Sequence, residues 1–346
     1  MKLSPSRLAQ ARRLCVAPMM AWTDRHCRYF HRLLSHDALL YTEMVTTGAL
    51  LHGNVPRHLA YHDDEHPLAL QLGGNEPTAL AQAAKLAEQW NYDEINLNCG
   101  CPSERVQQGA FGACLMAQPQ LVADCVKAMC DAVSLPITVK HRIGLDQSND
   151  YRFVRDFVGT VAQAGCQVFI VHARNAILGG LSPKENREIP PLNYAVAYQL
   201  KQDFPTLEII VNGGIDHINA IKTHWQQLDG VMIGRHAYHQ PYFLAQVDNL
   251  LHDTQHPLIS RDEVEEQYCA YICTQLKQGV PLTNMTRHML GLHHGEPGAR
   301  AWRRVLSDAN HLANNPTAAD VSALFTKART RLQQAQSPAT DHIRTQ

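Results

Sequence analysis

Cys101 is the residue with the clearest potential for chemistry, and it lies in the stretch 98–103 (NCGCPS). The residues before it, 94–97, form a short β-type run that stops in a Gly-Cys-Pro turn, which predicts a strand that delivers a thiol to a loop. Free cysteines are usually buried, but catalytic groups are concentrated in loops at the ends of elements. The Cys-x-Cys spacing lacks the paired Cys-x-x-Cys signature of zinc sites, so we predict no metal here. Cys99 and Cys114 are expected to be structural.

The composition limits the class of protein. The chain has 346 residues, of which 45% are hydrophobic and 18% charged, with a net charge of −1 when histidine is neutral. These values predict one large α/β domain with a smaller one, and they exclude a disordered chain. Because no overall basic field exists, RNA binding would have to come from a local patch. Unpaired cysteine spacing, the absence of a signal-peptide pattern and the absence of long apolar runs predict a soluble cytoplasmic protein.

Eight short apolar runs of strand length occur before residue 240, and most are separated by stretches long enough for a helix. The runs cover residues 14–20, 38–44, 68–74, 94–100, 137–143, 168–174, 208–214 and 230–235. Continuous apolar strands that alternate with amphipathic helices indicate parallel strands buried on both faces. Eight such units predict an α/β fold, a (β/α)8 TIM barrel over residues 1–245. A doubly wound sheet is the alternative, and the lack of a Gly-x-Gly-x-x-Gly after the first strand disfavours it.

The pattern changes after residue 245, where the strand-like runs stop. Helical patterns cover residues 261–278, 299–313 and 317–335. We therefore predict a small all-helical domain over 250–335. The last residues, 336–346, are polar and include a proline, so we expect them to be a frayed tail.

Candidate site residues, most of them polar or glycine, end or follow most of the predicted strands. They are Pro18, Met19 and Met20 after the first strand, Gln71 in the third, Asn96, Asn98 and Cys101 at the fourth, Lys140 and Arg142 at the fifth, His172 and Arg174 at the sixth, Asn212, Gly213 and Gly214 at the seventh, and Gly234 and Arg235 at the eighth. In a TIM barrel the chemistry lies at the carboxyl ends of the strands. The sequence therefore predicts one shared site.

The glycines after the seventh and eighth strands predict a phosphate site, because exposed backbone N–H groups and a following helix N-terminus attract anions. Gly213-Gly214 alone is equally compatible with a tight turn, and the neighbouring Gly234-Arg235 favours phosphate. Lys140 would be a costly buried charge without a partner, which an anionic cofactor would supply. His172 alone would suit a core histidine, but its position opposite Lys140 on the adjacent predicted strand favours a functional role.

At these residues the chain resembles the tRNA-dihydrouridine synthase family over nearly its whole length, and most closely the DusA subfamily. The motifs that carry the resemblance are 98–103 (NCGCPS), 140–144 (KHRIG), 171–174 (VHAR) and 212–214 (NGG). The subfamily mark is 288–292 (HMLGL) together with 298–303 (GARAWR). His293 stands where an aromatic residue such as phenylalanine is expected, which concerns packing only.

The resemblance implies a flavoenzyme that reduces the C5–C6 double bond of uridine in the D-loop of tRNA, at positions 20 and 20a for DusA-like members. FMN would lie across the barrel mouth, NADPH would reduce it, and the reduced flavin would give hydride to C6 of the uracil. The implied flavin contacts are Pro18, Met19 and Met20 at the ring, Gln71 and Lys140 at its polar edge, His172 beside it, and Asn212, Gly213, Gly214, Gly234 and Arg235 at the phosphate.

The resemblance also implies how the rest of the reaction is carried out. Cys101 would protonate C5, a task that suits a thiol because free thiols are protonated at neutral pH and release the proton readily. Lys140 would place positive charge near the flavin's polar edge. Asn98 is expected to hold a uracil carbonyl, and Arg142 is an open candidate for that role. The target base must leave its stack to reach the flavin.

The tRNA contacts are expected in two local basic clusters. Lys184 and Arg187 lie in the loop after the sixth predicted strand, and Arg300, Arg303 and Arg304 share one face of a predicted helix. Either cluster could be solvated surface, but both match places where DusA-like members are expected to contact tRNA, which favours phosphate contacts. We expect no obligate protein partner and a monomer.

Three other functions remain as alternatives. A small-substrate flavin oxidoreductase on a TIM barrel, similar to dihydroorotate dehydrogenase or an ene-reductase, would share the phosphate site but has no use for a helical domain with an arginine stripe. A non-enzymatic RNA-binding protein predicts that no flavin is bound. A metal-dependent hydrolase is disfavoured because no His-x-His occurs at a predicted strand end.

Overall fold

The structure is a computed structural model that describes residues 3–148, 150–251, 257–308 and 316–336. The chain divides into two compact units, the first made of residues 1–32 and 37–234 and the second of residues 33–36 and 235–346. The separate catalytic and tRNA-binding roles assigned to residues 1–245 and 250–335 stay predictions. The expected frayed tail lies outside the described residues, apart from Gln336.

The first unit contains a closed barrel of eight parallel strands, which confirms the predicted TIM barrel. The barrel strands are Leu14–Val16, Leu39–Tyr41, Leu68–Gly73, Glu94–Cys99, Ile137–Arg142, Val168–His172, Glu208–Asn212 and Gly230–Ile233. Each strand pairs with the next one along the chain, and the last pairs with the first. A short strand, Val45–Thr46, also pairs with Leu68–Gly73. The strands are almost wholly buried, as expected where both faces of a parallel sheet are covered.

Helices follow most of the barrel strands, and their ends are capped by local side chains. Up to residue 234 they are Pro5–Arg12, Arg25–Leu34, Thr47–His52, Val55–Leu59, Pro77–Gln89, Glu104–Gln108, Pro119–Ala132, Tyr151–Gln163, Tyr194–Asp203 and Ile218–Trp225, with 3-10 turns at Asp63–Glu65, Gly112–Ala117 and Glu185–Arg187. Pro77–Gln89 begins at Glu76, whose carboxylate accepts from two backbone N–H groups of the first turn. Its alanine-rich face is buried, as amphipathic helices on a sheet require.

The barrel interior is apolar along most of its depth and polar at one end. Its buried cluster includes Tyr41, Ile170, Ile210 and Met232 from the strands, joined by Leu8 from the first helix. That helix therefore lies against the amino-terminal ends of the strands and closes this end of the barrel. The carboxyl ends form the open end, which we call the mouth.

The second unit contains helices and no strand in its described residues. Its helices are Arg235–His239, Tyr242–Leu251, Arg261–Lys277, Thr283–Thr286, Ala299–Ser307 and Ala318–Gln336. Ser260 and Glu263 form a capping box at the start of Arg261–Lys277. The predicted helix 299–313 ends at Ser307, and most of its remainder lies outside the described residues. In the described ranges, no helix combines the length and the apolar character needed to cross a membrane.

Candidate active site at the barrel mouth

The Cys101 loop begins where the strand Glu94–Cys99 ends, and hydrogen bonds fix it there. The side-chain Oδ1 of Asn98 accepts from the backbone N–H groups of Gly100 and Cys101, at 3.1 and 3.0 Å. The carbonyl of Cys101 accepts from the N–H of Ala113 at 2.9 Å. Gly112 has a φ of +77°, and a Cβ there would lie 2.6 Å from the Cys101 carbonyl oxygen, so only glycine fits. The half-buried Cys101 thiol is therefore held on a defined backbone.

Gln107 forms two further hydrogen bonds to loops of the mouth, which sequence analysis missed. Its Nε2 donates to the carbonyl of Pro102 at 2.8 Å and to the carbonyl of Leu178 at 2.9 Å. Leu178 lies in the loop after Val168–His172, so one amide joins two loops of the mouth. No sequence signal indicated this contact, because it joins residues 71 positions apart.

Asn98 and Gln71 are linked side by side beneath the Cys101 loop. Asn98 Nδ2 donates to Gln71 Oε1 at 2.9 Å, and Gln71 Nε2 donates to Asn96 Oδ1 at 2.8 Å. Both Asn98 and Gln71 are buried. The role expected for Asn98, holding a uracil carbonyl, stays a prediction, and the structure adds a role in shaping the Cys101 loop. Asn96 was placed at the strand end, but its contact with Gln71 was missed.

Lys140, Arg142 and His172 line the same side of the mouth. The strand register places Lys140 beside Asn98 and His172 beside Arg142. The expectation that His172 stands opposite Lys140 is therefore wrong by two residues, because side-chain alternation alone does not fix the register between strands. Arg142 donates to three backbone carbonyls, those of Gly100 at 3.1 Å and of residues 175 and 186 at 3.2 and 3.0 Å.

Burial and mutual repulsion lower the pKa values of these three groups. Burial, followed by the charge of Arg142, lowers the pKa of Lys140 to about 7. Burial also lowers the pKa of Arg142 to about 10, and the nearby Arg187 and Arg174 contribute. Burial and the cations Arg142 and Lys140 hold the pKa of His172 well below its usual value, so His172 is neutral at pH 7.

Two cations of the mouth, Lys140 and Arg142, lack an acidic partner among the residues that the structure describes. An uncompensated buried charge is unfavourable, and an anion bound there would relieve the cost. This charge pattern fits an anionic ligand.

The loop at Gly213-Gly214 packs directly on His172. Gly213 has a φ of +114°, and a Cβ there would lie 2.8 Å from His172 Cδ2 and 3.1 Å from Leu192 Cδ2. Tyr194 donates its hydroxyl to the Gly213 carbonyl at 2.6 Å, and Asn212 Nδ2 donates to a carbonyl of the last strand at 2.8 Å. The close packing of His172 and Leu192 against this loop therefore requires glycine, which has no side chain and adopts a positive φ without strain.

Gly234 differs from these glycines. A Cβ on Gly234 would meet nothing closer than Ala17 Cβ at 3.8 Å, so space is left beside it. Gly234 and Arg235 directly follow the last strand, and both are half-buried. The predicted phosphate contacts of these residues and of the residues 212–214 stay predictions.

The loop after the first strand holds the predicted ring contacts Pro18, Met19 and Met20. The backbone N–H of Met19 donates to Thr23 Oγ1 at 2.9 Å, which fixes the backbone of Met19. Met20 is 63% exposed, which is unusual for a large apolar side chain. Ala21 has a φ of +63° and donates its N–H to Glu43, a contact that sequence analysis missed. The loop is thereby rigid, with an apolar side chain open to a ligand.

The basic residues predicted to contact tRNA fall into two groups. Lys184 is exposed and Arg187 half-buried, at the 3-10 turn Glu185–Arg187 of the first unit. Arg300 and Arg303 are exposed in the second unit, where they line a cleft of about 380 Å³. The structure does not assign a ligand to either group.

The cleft of the second unit has a net positive lining. Glu296, which also lines it, is paired with Arg261 at 2.8 Å and with His293 at 2.7 Å, so its charge is already compensated. The opposite face of the helix Ala299–Ser307 buries Trp302. The His293 ring packs edge-on against the Trp302 ring, with 4.5 Å between the ring centroids. His293 therefore makes an aromatic contact at the position where a residue such as phenylalanine was expected. No group of three or more metal-ligating side chains occurs in the part of the chain that the structure describes.

Comparison with known proteins gives consistent results. The family model described as "Dihydrouridine synthase (Dus)" matches residues 15–329. A protein of Pseudomonas syringae pv. tomato named tRNA-dihydrouridine(20/20a) synthase is 60% identical over 90% of this chain and 93% of its own length. A protein of Vibrio parahaemolyticus with the same name is 60% identical over 86% of this chain and 92% of its own length.

Solved structures show likeness in fold alone. A 2-naphthoyl-CoA reductase in complex with 2-naphthoyl-CoA has a TM-score of 0.52 and 12% identity, over 68% of this chain and 49% of that chain. The family match and the 60% identity to the two relatives are far stronger evidence of kinship than this likeness in fold. The chain therefore belongs to the dihydrouridine synthase family, as its motifs predicted.

Proposed function

We propose that this protein reduces uridine to 5,6-dihydrouridine in the D-loop of tRNA, at positions 20 and 20a, with FMN as cofactor and NADPH as reductant. The family assignment and the names of the relatives support the reaction and the positions. One observation carries the assignment to the mouth, namely that the Cys101 thiol stands on a hydrogen-bonded loop beside Lys140, a cation with no acidic partner in the described ranges. We also propose that the protein acts in the cytoplasm, where its free thiols would persist.

The residues of the mouth suit FMN. Pro18, Met19 and Met20 offer apolar surface for the ring, with Met20 exposed. Gln71 and Lys140 supply hydrogen-bond donors for its polar edge, and the neutral His172 lies beside them. The backbone at Asn212, Gly213 and Gly214, with Gly234 and Arg235 directly after the next strand, would hold the phosphate. When bound and reduced by NADPH, FMN supplies the hydride for C6 of the uracil.

Cys101 and Asn98 act on the uracil itself. Hydride addition at C6 leaves negative charge spread over C5, C4 and O4, and C5 then needs a proton. The thiol of Cys101 donates that proton. Asn98 keeps one N–H of its amide beyond the bond to Gln71, and this N–H would hold the uracil carbonyl. Lys140 in its charged form would favour the developing negative charge.

The tRNA would be held by basic side chains outside the mouth. Lys184 and Arg187 in the first unit, and Arg300 and Arg303 in the second, are assigned contacts with backbone phosphates. The target uridine must be turned out of its stack to reach a flavin at the barrel mouth. We propose a monomer that needs no partner protein.

The test compares wild type with Cys101→Ala. Both proteins should bind FMN and show flavin reduction by NADPH, but dihydrouridine formation in unmodified tRNA should fall at least about a hundredfold in the variant, the usual effect of losing a general acid. Cys114→Ala is the matched control, because Cys114 is half-buried in the same loop region and donates to the Phe111 carbonyl at 3.1 Å. A wild type that binds no flavin, or a Cys101→Ala protein that reduces tRNA at the wild-type rate, would contradict the proposal.

A further inference from the structure

A continuous file of hydrogen bonds runs through the barrel from the Cys101 loop to the opposite end. It starts at Asn98, which donates to Gln71 at 2.9 Å, and Gln71 donates to Asn96 at 2.8 Å. Asn96 Nδ2 then donates to Thr138 Oγ1 at 3.0 Å, and Thr138 Oγ1 donates to Glu94 Oε1 at 2.8 Å. All five side chains are at most 8% exposed. The sequence gives no sign of such a file, and the proposed reaction uses only its upper end.

The two ends of the file fix its direction. At the top, the backbone N–H groups of Gly100 and Cys101 can only donate, so Asn98 must present its oxygen to them. At the bottom, Thr138 Oγ1 lies 2.8 Å from Glu94 Oε1 and 3.3 Å from the Ile95 carbonyl oxygen. A carboxylate and a carbonyl can only accept, so Thr138 donates to this side, with Glu94 the nearer acceptor, and accepts from Asn96. Amide orientations are assigned from such networks. Here both ends require the same orientation for every amide between them.

Glu94 is held as an acceptor by its own surroundings. Arg12 Nε donates to Glu94 Oε2 at 2.8 Å, and this guanidinium is permanently charged. Tyr41 donates its hydroxyl to Glu94 Oε1 at 2.7 Å. Glu94 is completely buried, so no water competes for these bonds. A donor at this position would oppose the Thr138 hydroxyl and permit the amides above to turn over.

We propose that Glu94 is a positioning residue, which sets the direction of the hydrogen-bond file and thereby makes Asn98 hold the Cys101 loop by its oxygen. If Asn98 turned over, its NH₂ group would face two backbone N–H groups, and both bonds to the loop would be lost. The importance of the loop for catalysis rests on the proposed role of Cys101. The positioning itself is a property of the protein alone.

The test interrupts the file at Thr138 and measures amide hydrogen exchange in the full-length protein. Thr138→Val keeps the size of the side chain but removes the link between Asn96 and Glu94. We expect exchange at the amides of Gly100 and Cys101 to become about tenfold faster, because the oxygen that accepts from them is no longer held in place. Glu94→Gln, which replaces an acceptor-only group by one that can donate, should give the same local change.

Two variants serve as matched controls. Thr138→Ser keeps the hydroxyl, and Tyr41→Phe removes the other donor to the same Glu94 oxygen without cutting the file. In both, exchange at Gly100 and Cys101 should stay within about twofold of wild type. Amides of the strand Val168–His172 are the internal reference, because its side chains take no part in the file.

Alkylation of Cys101 gives a second measurement. In Thr138→Val the rate at Cys101 should rise at least about threefold relative to the half-buried Cys130 in the same sample, since a looser loop exposes the thiol. Unchanged exchange at Gly100 and Cys101, or an equal increase in the reference strand, would overturn the proposal. Neither readout needs tRNA or flavin, so failure of the proposed reaction and failure of this inference are distinguishable.

Discussion

The two ends of the barrel hold cations in opposite surroundings. At the closed end, Arg12 meets Glu94 at 2.8 Å and Glu208 at 3.1 Å. Burial alone would lower the pKa of Arg12, but the two carboxylates outweigh it and raise the pKa. At the mouth, Lys140 and Arg142 have no acidic partner in the described ranges, and burial lowers the pKa of both.

This difference separates charges that serve folding from charges that serve binding. A buried cation with its counter-ions inside the protein is complete as soon as the chain folds, and loss of one partner is then costly. A buried cation without a counter-ion inside the protein becomes favourable only when a ligand supplies one. The same fold therefore places its cations with acidic partners and its cations without them, in the described ranges, at opposite ends of one barrel.

The largest expected effect comes from removing a carboxylate at the closed end. Glu94→Ala should lower the free energy of unfolding by about 3 kcal/mol, because Arg12 loses its completely buried partner and keeps only the half-buried Glu208, and the Thr138 hydroxyl loses its nearer acceptor. Urea denaturation measures this change. Lys140→Met at the mouth is the contrasting variant and should stabilise the flavin-free protein by about 1 kcal/mol at pH 6, where the lysine is still charged. Destabilisation by both variants would contradict the distinction between the two ends.

The sequence predicted the barrel and the composition of the mouth well, but not how the side chains connect. Eight apolar runs marked the strands, because strands buried on both faces need apolar side chains throughout. Cys101, Lys140 and His172 could be found because each lies at a strand end. Lys140 was predicted to lie opposite His172, but Arg142 does. The register between two strands depends on how they pair and not on the local sequence pattern.

The contacts that sequence analysis missed join residues far apart in the chain. Thr138 and Glu94 are 44 positions apart, and Gln107 and Leu178 are 71 positions apart. Threonine, glutamate and glutamine are common residue types that are mostly exposed. Nothing in their local sequence indicates that burial turns them into links of a network, and only the closed barrel brings their polar atoms together.

The next effect concerns the pH dependence of flavin binding. The pKa of Lys140 is about 7 in the flavin-free site, against a usual value of about 10.4. An anionic ligand favours the charged lysine and raises this pKa, so binding above pH 7 takes up a proton. Affinity for FMN should therefore fall as the pH rises from 7 to 9, by up to about tenfold per pH unit.

Titration calorimetry in buffers of different ionisation enthalpy would measure both the affinity and the proton uptake. Lys140→Arg is the matched control, because a guanidinium stays charged throughout this range and should remove the pH dependence. If wild type and Lys140→Arg show the same pH profile, Lys140 is not the group that balances the ligand's charge. The contrast between Arg12 at the closed end and Lys140 at the mouth would then rest only on the unfolding free energies of Glu94→Ala and Lys140→Met.

The smallest expected effect extends the comparison to cations at the surface. Arg300 and Arg303 also have no acidic partner in the described ranges, but they are exposed, so water and salt already screen them. Replacing both by Gln should weaken tRNA binding only about five- to tenfold at moderate salt. The slope of log K against log salt concentration should become less steep by about 1.4 to 1.8, the contribution of two phosphate contacts. Lys127→Gln is the control and should change the slope little, because this exposed lysine is already paired with Asp131 at 2.9 Å. Filter binding at several salt concentrations measures the slopes, and an unchanged slope in the double variant would mean that the cleft does not contact phosphate.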